Sequence, residues 1–206
     1  MQKNLNHWYD GWIYHRFIAP VQREYYIEAV RMMDKNAKVL DVACATGGFA
    51  FFASDKVKKI TGLDLSFRNI KKANDLLKSN GCKNIDFVHG NALELSEIFS
   101  WRFDHSFISF ALHEMPSEIR ENVLLEMSKV SKNVIIADFS VDMDFNFRGI
   151  ISRMAEFFAG PDHFANFLDF RKSGGVSALL EKNDMKIIKR KKTANNTSEI
   201  IMAERL

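Results

Sequence analysis

Cysteine, proline and glycine are all scarce in this chain: two, three and ten among 206 residues. Cys44 and Cys82 stand apart, in contexts that suggest neither a disulfide framework nor a zinc site. Both read as reduced thiols, which points to the cytoplasm. No apolar run is long enough to span a bilayer, and an N-terminus carrying Asn4, Asn6, His7 and Asp10 does not read as a signal peptide. A formal net charge of +3 is too small to argue for nucleic acid by itself. No metal constellation stands out along the sequence. What is present is an ordinary globular composition, 47% apolar and 27% charged, enough for one α/β domain with a modest addition.

The informative stretch is Val39-Leu40-Asp41-Val42-Ala43-Cys44-Ala45-Thr46-Gly47-Gly48-Phe49-Ala50. An aliphatic, β-branched run predicts a buried strand from about Ala37, followed by a tight turn of small residues and an apolar helix start at Phe49. Such a unit opens an α/β sheet and leaves backbone N–H groups and a helix N-terminus where an anionic ligand group can sit. Asp41 lies at the strand end among residues too small to shield it, so its carboxylate is expected to face a ligand's ammonium or hydroxyl. The next strand end, Gly62-Leu63-Asp64-Leu65, puts Asp64 roughly 20 residues on, the spacing of an acidic residue that binds a ribose diol. The turn lacks the G-x-G-x-x-G spacing of nicotinamide-binding proteins.

These residues resemble the first motif of the class I S-adenosylmethionine (SAM) dependent methyltransferases, Leu-Asp-x-Gly-x-Gly-x-Gly. The likeness continues through Asp64, Val88-His89-Gly90-Asn91-Ala92 and Phe103-Asp104 to Met115-Pro116, and covers about residues 37–140. Ala43 and Ala45 replace two of the three glycines, leaving Gly47. Ala45 is expected to require a turn with negative φ and room for one methyl. The resemblance implies a Rossmann-like, doubly wound, seven-stranded sheet ending in an antiparallel hairpin. It also implies a SAM site drawing on Asp41, Ala43, Ala45, Gly47, Asp64, Leu65, Asn91, Ala92 and Phe110, with Tyr14 closing over it. Asn91 also has a plainer reading, as a turn residue bonded to its own backbone.

In order, the chain reads as a single domain: an N-terminal helical cap (1–36), a cofactor-binding core (37–139), a helical lid (140–173), then a last helix and hairpin (174–206). The cap is rich in aromatics, and Pro20 opens a helix to about Met33 that buries Val21, Tyr25, Ile27 or Glu28, and Met32. Tyr9, Tyr14, Tyr25 and Tyr26 are candidates to touch the cofactor; packing against the sheet edge is the plainer reading for each. Ser66 caps a helix with a stripe of Ile70, Ala73 and Leu77, ended by Gly81. Pro116 opens another, with Ile119, Val123, Met127 and Val130 on one face. Eight of the 18 phenylalanines fall between 139 and 170, more than a solvated connector needs. There Phe147 to Phe158 predict one helix, and Phe164, Phe167 and Leu168 the face of a second that begins near Asp162. A last helix, Val176 to Lys182, leads to strands Met185–Lys192 and Ser198–Ala203, joined around Asn195-Asn196. The run Lys189 to Lys192 reads most simply as a solvated sheet edge.

Ala111-Leu112-His113-Glu114-Met115-Pro116 follows the fourth strand, where open α/β sheets bind ligands. It lacks the Asn/Asp-Pro-Pro-aromatic motif of DNA-adenine and glutamine methyltransferases and looks instead like small-molecule methyltransferases, including those of quinone biosynthesis. A hydroxyl nucleophile needs its proton removed, a task suited to histidine. The candidates, in order, are His113, Glu114 and His163. The implied activity is methyl transfer from SAM to a small apolar or aromatic acceptor. A SAM-binding protein without catalysis is the alternative, and an RNA methyltransferase using Lys189 to Lys192 is a third reading that would show salt-dependent binding.

Overall fold

The computed structural model describes residues 22–100, 102–142, 161–192 and 196–206. The expectations for Tyr9, Tyr14, Val21, the Phe147–Phe158 face and Asn195 lie outside them. Chain order is α1 (Arg23–Met32), β1 (Lys38–Val42), α2 (Gly48–Ala53), β2 (Lys59–Asp64), α3 (Phe67–Asn80) and β3 (Ile85–His89). Then come α4 (Leu95–Ile98), β4 (Phe103–Ser109), α5 (Ser117–Val130), β5 (Ser131–Phe139), α6 (Pro161–Lys172), α7 (Gly175–Lys182), β6 (Met185–Lys192) and β7 (Ser198–Arg205).

The strands form one seven-stranded sheet in the order β3-β2-β1-β4-β5-β7-β6. β1 pairs in parallel with β2 and β4, while β7 runs antiparallel between β5 and β6. Central strands buried on both faces need continuous apolar runs; Val39, Leu40 and Val42 of β1 and Val134 to Ala137 of β5 supply them. One face packs Leu40, Ile108, Leu124, Met127 and Ile136 under α5, α6 and α7, and the other packs Val39, Phe49, Phe107 and Ile135 under α1 and α2.

Ser66 Oγ accepts from the Asn69 amide at 3.3 Å and Gly81 closes α3 at φ +68°, as the capping residues predict. Two predicted faces hold at Tyr25, Met32 and Phe167 and differ at one aliphatic position each. In α1 the buried residues are Tyr25, Tyr26, Ala29 and Met32, with Ile27 37% exposed; in α6 they are Phe167 and Phe170, with Leu168 45% exposed. In both, a bulky aromatic one or two positions away takes the core site, and the aliphatic residue turns to solvent.

β6 is the sheet edge, and a bulge between Ile187 and Lys189 breaks its register. Its cations are engaged along this edge: Lys191 with Glu28 (2.7 Å), Lys192 with Asp142 (2.6 Å), Arg190 with Glu199 (3.0 Å), and Lys189 with the Met32 carbonyl (3.4 Å). A bulged, charged edge blocks strand addition. Its partners also neutralise the run as a basic patch.

Candidate active site

The carboxyl ends of β1, β2, β4 and β5 carry Asp41, Asp64, Phe110 and Asp138 respectively, all at one edge of the sheet. Asp41 is 3% exposed, and its Oδ2 has no protein hydrogen-bond partner. Burial, and then the neighbouring Asp64 carboxylate, push the Asp41 pKa well above the usual carboxylate range. Thr46 Oγ1, four residues beyond Val42 and fully buried, is likewise without a partner. Orphaned buried polar atoms are costly, and two in one turn fit a place for a polar ligand group.

The turn is built differently from the expectation for Ala45. Its φ is +48°, not negative, and Ala43 is at +54°. Both alanines hold the left-handed conformation that glycine takes freely, which costs about 1–2 kcal/mol each. Asp64 compensates: Oδ2 accepts from the Ala45 amide at 2.8 Å, and Oδ1 from the Ser66 amide at 2.8 Å and Asn69 Nδ2 at 3.4 Å. The carboxylate expected at a ribose diol is therefore also the clamp that folds the turn.

Gly47, at φ +82°, caps the start of α2, and a Cβ there would clash with the Phe87 ring and meet Phe51 at 3.1 Å. Leu65 is half-buried, with its carbonyl 2.9 Å from His89 Nε2. Asn91 Oδ1 accepts from the Leu93 amide at 3.0 Å, capping a short 3₁₀ turn that starts at Ala92. That bond is the plainer of its two readings. Phe110 sits at φ +49°, edge-on to Tyr25 (centroids 4.8 Å) and Phe139 (5.4 Å). Tyr25 thus reaches this edge, anchored by its hydroxyl 2.7 Å from Ser198 Oγ, whereas Tyr26 packs among Phe49, Phe52 and Phe107 in the core.

His113, Glu114 and His163 come together. The first two lie on a 3₁₀ turn after β4, and His163 on the first turn of α6. Glu114 Oε1 is 4.0 Å from His113 Nε2 and 3.7 Å from His163 Nε2. His113 is 1% exposed, and its Nδ1 lies 2.6 Å from Asp138 Oδ1. Asp138 also accepts from the Phe139 amide at 2.7 Å and the His113 amide at 3.4 Å. Accepting from Nδ1–H, it fixes that tautomer and turns Nε2 toward Glu114 and His163. Phe139, Phe167 and Phe170 wall the imidazole at centroid distances of 4.7, 6.0 and 6.4 Å.

Arg120, on α5 and buried, assembles this cluster, and sequence reasoning gave it no role. It donates from Nε to the Met115 carbonyl (3.0 Å), and from Nη2 to the Asn166 carbonyl (3.3 Å) and Asp169 (3.1 Å). Asn166 Nδ2 in turn donates to the Glu114 carbonyl at 2.8 Å. α6 is thereby pinned to the His113 turn. Burial lowers the Arg120 pKa, with Asp169 and Asp138 opposing. The available signal was an arginine in register with Leu124 and Met127 of the buried helix face.

Comparison with known proteins places this geometry. Residues 39–134 match a family model described as a methyltransferase domain. A demethylmenaquinone methyltransferase of Bacillus pumilus is 35% identical over 103 residues, 48% of this chain and 43% of that protein. The chain spans about half the length of the curated relatives it matches. Among solved structures, a protein from Pyrococcus horikoshii OT3 superposes with a TM-score of 0.71 at 22% identity, covering 97% of this chain and 94% of that one. The magnesium protoporphyrin IX methyltransferase of Synechocystis PCC 6803 with bound S-adenosylhomocysteine gives 0.63 at 15%, covering 91% and 83%. The structural likenesses carry the fold, and the matched stretch contains the turn and the acidic strand ends in order. On that ground residues 39–134 are similar to a methyltransferase domain, in a chain with the fold seen in SAM-dependent methyltransferases.

Proposed function

We propose that the chain binds SAM along the β1–β2–β4 edge and transfers its methyl group to a small aromatic acceptor bearing a hydroxyl, of the phenol or hydroquinone class. The observation that carries the donor site is the buried, partnerless Asp41 Oδ2 beside Asp64. A cationic ammonium is the group that relieves a carboxylate held there. Asp64 then serves the ribose hydroxyls, and Leu65, Asn91 and Ala92 the adenine side.

The donor supplies a sulfonium-bound methyl, whose transfer leaves a neutral thioether as the carbon–sulfur electron pair returns to sulfur. For such an in-line displacement the protein's main contribution is alignment. Phe110, half-buried and backed edge-on by Phe139, offers flat apolar surface to hold an aromatic ring. His113 Nε2 takes the hydroxyl proton while Asp138 steadies the imidazolium, as an orienting carboxylate does. Glu114 and His163 lie within reach to pass that proton on. The name of the Bacillus pumilus relative supports a quinol-type ring.

The test is S-adenosylhomocysteine formation from SAM with a panel of phenols and naphthohydroquinones. Turnover is expected to fall by about 10²–10⁴-fold in His113→Ala. Tight donor binding without turnover on any acceptor would return the reading to a SAM-binding protein without catalysis.

A further inference from the structure

The same cluster has the composition and geometry of a metal site, one that sequence spacing conceals because His163 is fifty residues from His113. One ligand atom each from His113, Glu114 and His163 lies within 4.8 Å of the others. Two imidazoles and a carboxylate form a ligand set that zinc-class ions take in open, three-ligand sites. Around a tetrahedral ion with bonds of about 2.0–2.1 Å, donor atoms sit about 3.3 Å apart. The Glu114 pairs stand at 3.7 and 4.0 Å and the two imidazoles within 4.8 Å, so closing on an ion takes an inward turn of Glu114, whose side chain is one-third exposed, and of the His163 ring.

Two further features distinguish this cluster from a chance meeting of polar side chains. Asp138 accepts from His113 Nδ1 at 2.6 Å, the carboxylate–histidine arrangement that fixes the ligating tautomer of metal-bound histidines. The backbone amides of Phe139 and His113 brace Asp138 and keep that carboxylate aimed. The ligands also stand on tied elements, since Asn166 and Arg120 hold α6 to the Glu114–Met115 backbone.

We propose that His113 Nε2, the Glu114 carboxylate and His163 Nε2 form a mononuclear site for a divalent transition metal of the zinc class, with Asp138 as its outer carboxylate. Three protein ligands leave the fourth position to water or to an oxygen of a bound molecule. With the ion in place His113 Nε2 is a ligand and not a base. A hydroxyl at the open position is then acidified by the ion and releases its proton to solvent. Metal uptake is read directly, so the inference stands or falls separately from methyl transfer.

The experiment strips the full chain with chelator and titrates it with Co²⁺, followed by visible d–d absorption, and with Zn²⁺ by calorimetry. Wild type is expected to take up one equivalent with the spectrum of a low-coordinate site. His163→Ala and Glu114→Gln should each bind at least 100-fold more weakly, and Asp138→Asn about 10–100-fold more weakly. S-adenosylhomocysteine affinity, measured on the same samples, reports whether each variant is folded. No uptake by wild type, or equal uptake by wild type and a folded His163→Ala, overturns the site.

Discussion

Asp41→Asn should stabilise the ligand-free protein while weakening its hold on SAM. The native carboxylate is 3% exposed, lacks a partner at Oδ2 and faces the charge of Asp64. Its folded pKa is raised, so its contribution to stability is fully present below the unfolded value, near 3.9, and is lost as pH rises through the folded value. At pH 7 the unfolded chain gains by ionising this group freely. An ion held in the interior without a counter-charge costs several kcal/mol, whereas an unsatisfied neutral amide costs about 1–3 kcal/mol. Asparagine keeps the shape and removes the charge, which gives an expected gain of about 1–2 kcal/mol at neutral pH. For a chain of this size that is a rise in Tm of roughly 3–6 °C. The gain should shrink toward pH 4, where the folded aspartate is protonated and the unfolded one is about half protonated. With SAM the sign reverses, because the charge-assisted bond to the ammonium, worth about 1.5–3 kcal/mol, is lost, and affinity falls about 10–100-fold. Thermal melts from pH 4 to 8, with and without ligand, read both effects. A ligand-free variant less stable than wild type at pH 7, or one that binds SAM undiminished, would refute the reasoning.

Three other outcomes follow from the same geometry. Ala45→Gly removes a left-handed alanine costing about 1–2 kcal/mol but adds about 0.4–1 kcal/mol of chain entropy to the unfolded state. Denaturant titration should therefore show a net gain of up to about 1 kcal/mol, and a loss would show that the methyl is needed in the turn. Gly62→Ala puts a Cβ 2.7 Å from the Phe87 ring and 2.9 Å from Cys44 Sγ. It should cost about 1–3 kcal/mol, partly recovered in the double variant with Phe87→Leu; no recovery would mean that the clash lies elsewhere. His105 is buried, accepts from the Asp34 amide at 3.1 Å and has its pKa lowered by burial, with Asp34 and Asp104 opposing. Its folded pKa lies below the unfolded value of about 6.5, so stability present above that pH is lost as pH falls. His105→Gln should flatten the decline of Tm between pH 7 and 5, and an unchanged slope would exclude His105 as its source.

Strand ends were legible because acidic residues closing apolar runs have few reasons to be there. Asp41 and Asp64 were read this way. Asp138 closes Ile135-Ile136-Ala137 in the same manner and could have been read alike. Caps were legible at Ser66 and Gly81, where one residue decides the local geometry. Backbone sign at Ala45 was not, because a clamp from Asp64, nineteen residues away, holds the turn against its own preference. The outward turn of Ile27 and Leu168 also escaped periodicity, since neighbouring aromatics of larger area won the core. The meeting of His163 with His113 depends on α6 being pinned by Arg120 and Asn166, a tertiary arrangement with no local signature. Sequence could nominate each histidine by its position near the expected site, but not their separation.

The central claim is that the turn at Asp41–Gly47 and the acidic end of β2 form a SAM site. Calorimetric titration of the wild-type chain with S-adenosylhomocysteine tests it most directly, with Asp64→Asn alongside, since asparagine keeps one acceptor for the turn while removing the charge. The account predicts one site per chain in the wild type and a binding isotherm at least tenfold weaker in the variant. A wild-type chain that binds neither S-adenosylhomocysteine nor SAM, or an Asp64→Asn variant that binds as well as wild type, would contradict it.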